Sequence, residues 1–129
     1  MRYDRYVMGS KKFNTQTGDR GEVIAATFLE ERGYVIIAKK VRTVWCEIDL
    51  LARKDGILHV VEVKSIASPY GSTDYRPEEL VHAWKLRKLT MFVEWYMNDH
   101  PEEADYRINV VVVYLDMERR CARCRLIEQ

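Results

Sequence analysis

The chain has 129 residues, 47% of them apolar, with 21 basic against 20 acidic side chains and a formal charge of +1. That length suits one domain. The charge balance excludes a polybasic tail protein or an acidic solvating chain as a description of the whole molecule.

Residues 1–17 carry no period and are expected to form a flexible basic arm, in which Arg2, Arg5, Lys11 and Lys12 outweigh Asp4. Residues 18–129 are expected to form the single folded domain. Asp19-Arg20-Gly21-Glu22 has capping-box spacing. Ile24, Ala25, Phe28 and Leu29 then recur at helical intervals, and Gly33 stands where a helix-ending glycine belongs, so a helix is expected over 20–32. Residues 34–38 and 45–52 read as strands. Lys54-Asp55-Gly56 is an Asp-Gly hairpin signal, followed by a third strand over 57–63. Ser, Pro and Gly punctuate a loop over 65–77. Pro77 with two glutamates opens a long helix that ends near 98–101. Lys85, Arg87 and Lys88 lie in its middle, and its Trp84, Trp95 and Tyr96 are assigned to the core. Val110-Val111-Val112-Val113 suits a strand buried on both faces, and the alternation over 121–127 suits a final edge strand. The order α-β-β-β-α-β-β predicts an α/β (α+β) fold, a central mixed sheet covered by helices.

Three cysteines, Cys46, Cys121 and Cys124, do not make a disulfide framework without a secretory leader. The first twelve residues lack an apolar signal region, and no apolar run approaches the ~20 residues of a membrane span. A cytoplasmic protein with no membrane partner is expected. Cys121-Ala122-Arg123-Cys124 lies in a strand-like segment with no further ligands nearby, which disfavours a zinc or redox site.

The chemistry concentrates in the second and third strands. Period-two alternation groups Glu47 with Asp49, and Glu62 with Lys64. Both pairs are embedded in apolar sequence, where an unpaired charge is costly. The hairpin brings Asp49 and Glu62 onto adjacent strands. Two neighbouring carboxylates repel unless a cation lies between them, and Mg²⁺, which takes one or two carboxylates and keeps several waters, meets that need. Lys64 is then placed to hold a water or to stabilise negative charge on a phosphate. Glu22, by spacing alone, is a capping-box glutamate. The alternative for the whole set is a group of solvated ions and cross-strand salt bridges.

Gly18-x-x-Gly21-Glu22, Glu31-Arg32-Gly33-Tyr34, Glu47-Ile48-Asp49-Leu50-Leu51-Ala52, Val61-Glu62-Val63-Lys64, Tyr70-Gly71-Ser72 and Lys85-Leu86-Arg87-Lys88-Leu89 occur in one order. This series resembles the YraN-like family of small bacterial proteins, which is similar to archaeal Holliday-junction resolvases. It is similar also to the restriction-endonuclease-like superfamily with its PD-(D/E)xK signature. The resemblance covers residues 18–116. It implies a restriction-endonuclease-like sheet and metal-dependent phosphodiester cleavage. Asp49, Glu62 and Glu22 match the metal-binding and catalytic acids, Lys64 the catalytic lysine, and Glu47 a supporting position. Lys85, Arg87 and Lys88 match a basic helix segment facing phosphates, and Tyr70 is a candidate base contact in the neighbouring loop. Cys46 stands where the family pattern has glycine, and Ile48 where the superfamily has proline.

The expectation is therefore a Mg²⁺-dependent nuclease-like protein, with Mn²⁺ as the alternative ion. DNA is the expected partner ahead of RNA, branched or single-stranded DNA in particular, and a homodimer is the alternative to a monomer. Two other readings stand beside it: a non-catalytic nucleic-acid-binding module that keeps the nuclease fold, and a protein-interaction domain with a structural acidic cluster. Setting aside Glu22, Glu47, Asp49, Glu62 and Lys64 leaves 20 basic against 16 acidic residues, a mildly basic body around an acidic pocket.

Overall fold

The computed structural model describes residues 4–7, 17–67 and 83–128. Chain order is β1 (Asp4–Val7), α1 (Thr17–Glu31), β2 (Val35–Arg42), β3 (Glu47–Lys54), β4 (Ile57–Ala67), α2 (Ala83–Asp99), β5 (Asp105–Asp116) and β6 (Cys121–Glu128). The strands form one sheet in the order β1-β6-β5-β4-β3-β2. Short connections make β2–β3, β3–β4 and β5–β6 antiparallel, and the long passage through α2 makes β4–β5 parallel. The sheet is therefore mixed, as the element order implied.

Local chemistry sets the register. Lys54 pairs with Ile57 across Asp55 and Gly56, whose φ angles of +53° and +74° are both left-handed. Two positive φ angles in a two-residue connection match the type I′ turn that suits strand twist. From that turn the ladder runs to Leu50–Val61, so Asp49 and Glu62 occupy the next positions.

Each face carries its own core. On one, Ile24, Phe28 and Leu29 of α1 pack on Leu50, Val61, Val111 and Val113. On the other, Leu89, Phe92 and Val93 of α2 pack on Ile48, Leu58, Val60 and Ile108. Val110 to Val113 are fully buried, as expected of a central strand covered on both sides.

Several boundaries differ from the sequence expectation. The helix of α1 begins at Thr17 rather than Arg20, so Asp19 lies within its first turn and is not the N-cap. Its C-terminus does end as expected. Gly33 has φ +89°, its N–H reaches Glu30 O at 3.0 Å, and the Tyr34 N–H reaches Leu29 O at 3.1 Å, which is a Schellman closure. Residues 4–7, assigned to the flexible arm, form a strand that pairs Asp4 with Cys124 and Val7 with Cys121. β6 is therefore flanked on both sides and is not an edge, because its outer row of backbone groups offers β1 a ladder. The rest of the arm and the helix start at Pro77 lie outside the described residues. No helix among the described residues is long and apolar enough to cross a membrane.

Gly21 fixes how closely α1 approaches β4. A Cβ at this position would stand 1.6 Å from Ser65 Oγ and 2.9 Å from Ser65 Cβ. Helix propensity alone makes Gly→Ala favourable by about 1 kcal/mol, whereas forcing extra volume into a packed contact costs about 1–3 kcal/mol. Gly21→Ala is accordingly expected to lower stability in chemical denaturation. Adding Ser65→Gly should restore most of the loss, as two residues sharing one contact are non-additive. A stabilised Gly21→Ala protein would show that the helix is not pressed on the strand.

Candidate active site

The β3–β4 ladder ends just before Asp49, and on the β2 side Lys40 and Asp49 are an unpaired step in a ladder whose register continues past them. On the β4 side pairing stops at Leu50–Val61. On the β2 side it passes from Lys39–Leu50 to Val41–Ile48, across Lys40 with its left-handed φ of +51°. Leu50 joins the α1-side core while Ile48 and Leu51 join the α2-side core, so strict alternation is lost at Asp49. A β4 backbone donor left over by the opening is taken by a side chain: the Val63 N–H donates to Asp49 Oδ2 at 2.7 Å. The opening thus fixes one carboxylate at the point where the two strands diverge.

Glu62 lies across from it on β4, with a side chain only 12% exposed. Its Oε2 is buried without a hydrogen-bond partner among the described residues. Lys85, reaching in from α2, places Nζ 3.7 Å from that oxygen and donates a hydrogen bond to Glu47 O at 3.1 Å. Burial, aided by the neighbouring Asp49 charge and opposed by Lys85 and Lys64, pushes the Glu62 carboxyl up to about 7. Burial also raises Asp49, and the Val63 hydrogen bond, Lys85 and Lys64 hold it down. The two acids therefore compete for limited counter-charge in a poorly hydrated place. Lys64, two residues beyond Glu62 on β4, acts through space on both of them.

The structure thus brings Asp49, Glu62, Lys64 and Lys85 to one locality, with Glu47 at its side. Glu47 itself is exposed and pairs with Arg42 at 3.8 Å. Lys85, one of the basic residues expected at phosphates, has its ammonium between Glu62 Oε2 and Glu47 O. Glu22 is placed on α1 beside Gly21, and its Oε2 lies 3.6 Å from Lys40 Nζ. No described group of three or more His, Cys, Asp or Glu residues surrounds a common point, so the three-acid set of Glu22, Asp49 and Glu62 is not assembled here. Arg87 is exposed on α2, and the Lys88 ammonium lies 5.9 Å from the centre of the Trp84 ring. Tyr70 lies outside the described residues.

Cys46 is accommodated where the family pattern has glycine. Among described non-glycine residues only Lys40, Asp55 and Arg120 have positive φ, and Thr43 holds the β2–β3 turn by accepting from Cys46 N–H and Trp45 N–H and by donating to Cys46 O. Cys121 and Cys124 are buried free thiols on β6, and burial pushes Cys124 up to about 12.

A divalent cation suits part of this arrangement. Two carboxylates, one with a buried oxygen that has an ion-pair neighbour at 3.7 Å but no hydrogen bond, are hard donors that a cation would satisfy, and Mg²⁺ needs few protein ligands because it keeps waters. Arg42, which the sequence did not single out, also borders the site through its ion pair with Glu47, and no short motif marks it.

The sequence profile of an uncharacterised protein family, UPF0102, matches residues 21–113. A UPF0102 protein of Chloroherpeton thalassium is 37% identical over 111 residues, covering 84% of this chain and 83% of the relative. One from Campylobacter fetus is 34% identical over 106 residues, covering 82% and 88%. One from Sulfurovum is 33% identical over 101 residues, covering 74% and 81%.

The raised Glu62 carboxyl sets a pH dependence of stability. A carboxyl whose folded value exceeds its ordinary 4.5 binds more protons folded than unfolded, so between 4.5 and about 7 the folded state loses ground as pH rises. In chelator-treated protein, Glu62→Gln is expected to remove this part of the decline and to be the more stable protein above neutral pH. Parallel stability–pH curves for the two proteins would contradict the burial assigned to Glu62.

Proposed function

This chain belongs to the uncharacterised family UPF0102, and we propose that it is a metal-dependent hydrolase of DNA phosphodiester bonds acting on branched or single-stranded substrates. The observation that carries this reading is the pairing of Asp49 with Glu62, whose buried Oε2 has no hydrogen-bond partner among the described residues while lysines stand at both sides. An acid pair held this way is costly for folding alone, and perturbed carboxyls of this kind concentrate at functional sites.

In the proposed mechanism Asp49 and Glu62 hold Mg²⁺ or Mn²⁺, and Glu22, engaged by Lys40, enters only as a supporting acid. A bound cation supplies Lewis-acid polarisation of the phosphate and lowers the pKa of a coordinated water. Lys64 donates hydrogen bonds to the attacking water or to the phosphate oxygens, on which negative charge grows. Asp49 keeps its orientation through the Val63 N–H, which fixes one of its two oxygens and leaves the other to the ligand. The Lys85 ammonium offsets the acid pair before substrate arrives and afterwards offers its charge to the phosphate backbone. Arg87 and Lys88 add sequence-independent phosphate contacts.

A second reading, a nucleic-acid-binding module without turnover, draws on Lys85. Its ammonium already offsets Glu62, and no described group of three His, Cys, Asp or Glu residues is arranged to hold a metal ion. Cleavage assays on flapped, four-way and single-stranded DNA separate the two readings. Mg²⁺-dependent cleavage is expected, with Glu62→Ala and Lys64→Ala each losing about 100-fold or more, the scale of removing one transition-state contact. Absence of metal-dependent cleavage by the unaltered protein, or variants that cleave at its rate, would overturn the hydrolase reading. DNA binding that survives Glu62→Ala without turnover would favour the binding module.

A further inference from the structure

The chain has three tryptophans, Trp45, Trp84 and Trp95. Trp84 and Trp95 were expected in the core, but they are 54% and 52% exposed. With Met91, 49% exposed, and Lys88 they occupy positions that form one stripe along the outer side of α2. The Trp95 ring lies 6.0 Å from Trp45 and 6.2 Å from Phe92. Together with Val41, Arg42, Thr43 and Val44, these three rings line a groove of about 510 Å³. Val44, at its mouth, is 90% exposed. Contiguous exposed apolar surface of this kind marks an interaction site more often than an accident.

Two features select the occupant. The first is charge. Arg42 lines the groove, Arg87 and Lys88 stand on the same helix, and the Lys88 ammonium lies over Trp84. An aromatic platform with Arg42 in its lining and further cations along the same helix complements a chain that presents flat π faces and negative charge together. The second is continuity with the candidate active site. Arg42 pairs with Glu47 at 3.8 Å, and the carbonyl of Glu47 receives the Lys85 ammonium that also faces Glu62. The groove is thereby linked to the acid pair through Arg42, Glu47 and Lys85.

We propose that this groove receives unpaired bases of single-stranded DNA, stacked on Trp95 and Trp45, as the strand leads into the Asp49–Glu62 site. The inference rests on the reading of that site as one that handles phosphodiesters, and it narrows the substrate to DNA with an unpaired segment. Bases within a duplex have their faces covered by their neighbours and must leave the stack to use such a platform.

Two of the three tryptophans, Trp45 and Trp95, line the groove, so intrinsic fluorescence reads its occupancy. Oligothymidylate is titrated into the full chain in the presence of chelator, which prevents turnover. Fluorescence quenching is expected, together with weaker binding by Trp95→Ala of about 5- to 100-fold, the scale of one lost base–aromatic stack. Met117→Ala, which removes an exposed apolar side chain on the β5–β6 turn, should bind as the parent does. Equal affinity for a blunt duplex, or unchanged affinity in Trp95→Ala, would overturn the proposal. So would sedimentation showing self-association that depends on Trp95 without any oligonucleotide binding, since a second copy would then fill the groove. Cleavage is measured separately with Mg²⁺: stacking without cleavage removes the hydrolase reading and leaves the groove. Cleavage unaffected by Trp95→Ala, with no quenching, removes the groove and leaves the hydrolase.

Discussion

Asp49 and Glu62 are two acids that the sheet forces together in an apolar setting, and the surrounding structure is organised around that tension. Water would ordinarily spread the charge of such a pair; here burial withdraws it, and Glu62 is pushed toward neutrality. One backbone N–H, from Val63, and two lysines, Lys64 and Lys85, are the described groups that oppose the penalty. Lys85 approaches the inner oxygen of Glu62 only to 3.7 Å, outside hydrogen-bond range. A fold under selection for stability alone would do better with two apolar side chains at these positions. The retained cost is the physical argument that the pair handles a ligand.

The scaffold confines the pair by register and by contact. Because strand side chains alternate, a one-residue slip between β3 and β4 would send Glu62 and Lys64 to the α1 side and bury them against Phe28 and Ile24. The left-handed Asp55-Gly56 turn prevents that slip at one end, and the opened ladder at Asp49 ends pairing at the other. Gly21 lets α1 press on Ser65, the residue after Lys64, so the strand carrying Glu62 and Lys64 is supported from behind. α2 brings Lys85 over the front. Both helices thus meet β4 close to the same two residues, from opposite faces.

The strong local signals were legible. Asp55-Gly56 gave its turn, Val110 to Val113 gave the doubly covered strand, Gly33 gave the helix end, and Glu62 with Lys64 shared a face as alternation requires. What was not legible depended on distant partners. β1 is too short to have a pattern of its own and exists because β6 has a free edge. The capping-box spacing at Asp19 was a coincidence of residue types, since the helix begins at Thr17. Lys85 looked like one of three equivalent basic residues until α2 was placed over the sheet. Trp84 and Trp95 were expected in the core because they are large and apolar, but they fall with Lys88 and Met91 on the helix face turned away from Leu89 and Val93, and both are exposed. Glu22 matched an acid in a motif, yet its described partner is Lys40.

The central claim is that Asp49 and Glu62 form a divalent-cation site, and calorimetric titration of Mn²⁺ and Mg²⁺ into the chelator-stripped protein above neutral pH addresses it directly. The account predicts saturable binding by the unaltered chain, accompanied by a higher melting temperature, and loss of both in Glu62→Ala. Identical heats in the two proteins, or a folded protein that takes up neither ion, would contradict it.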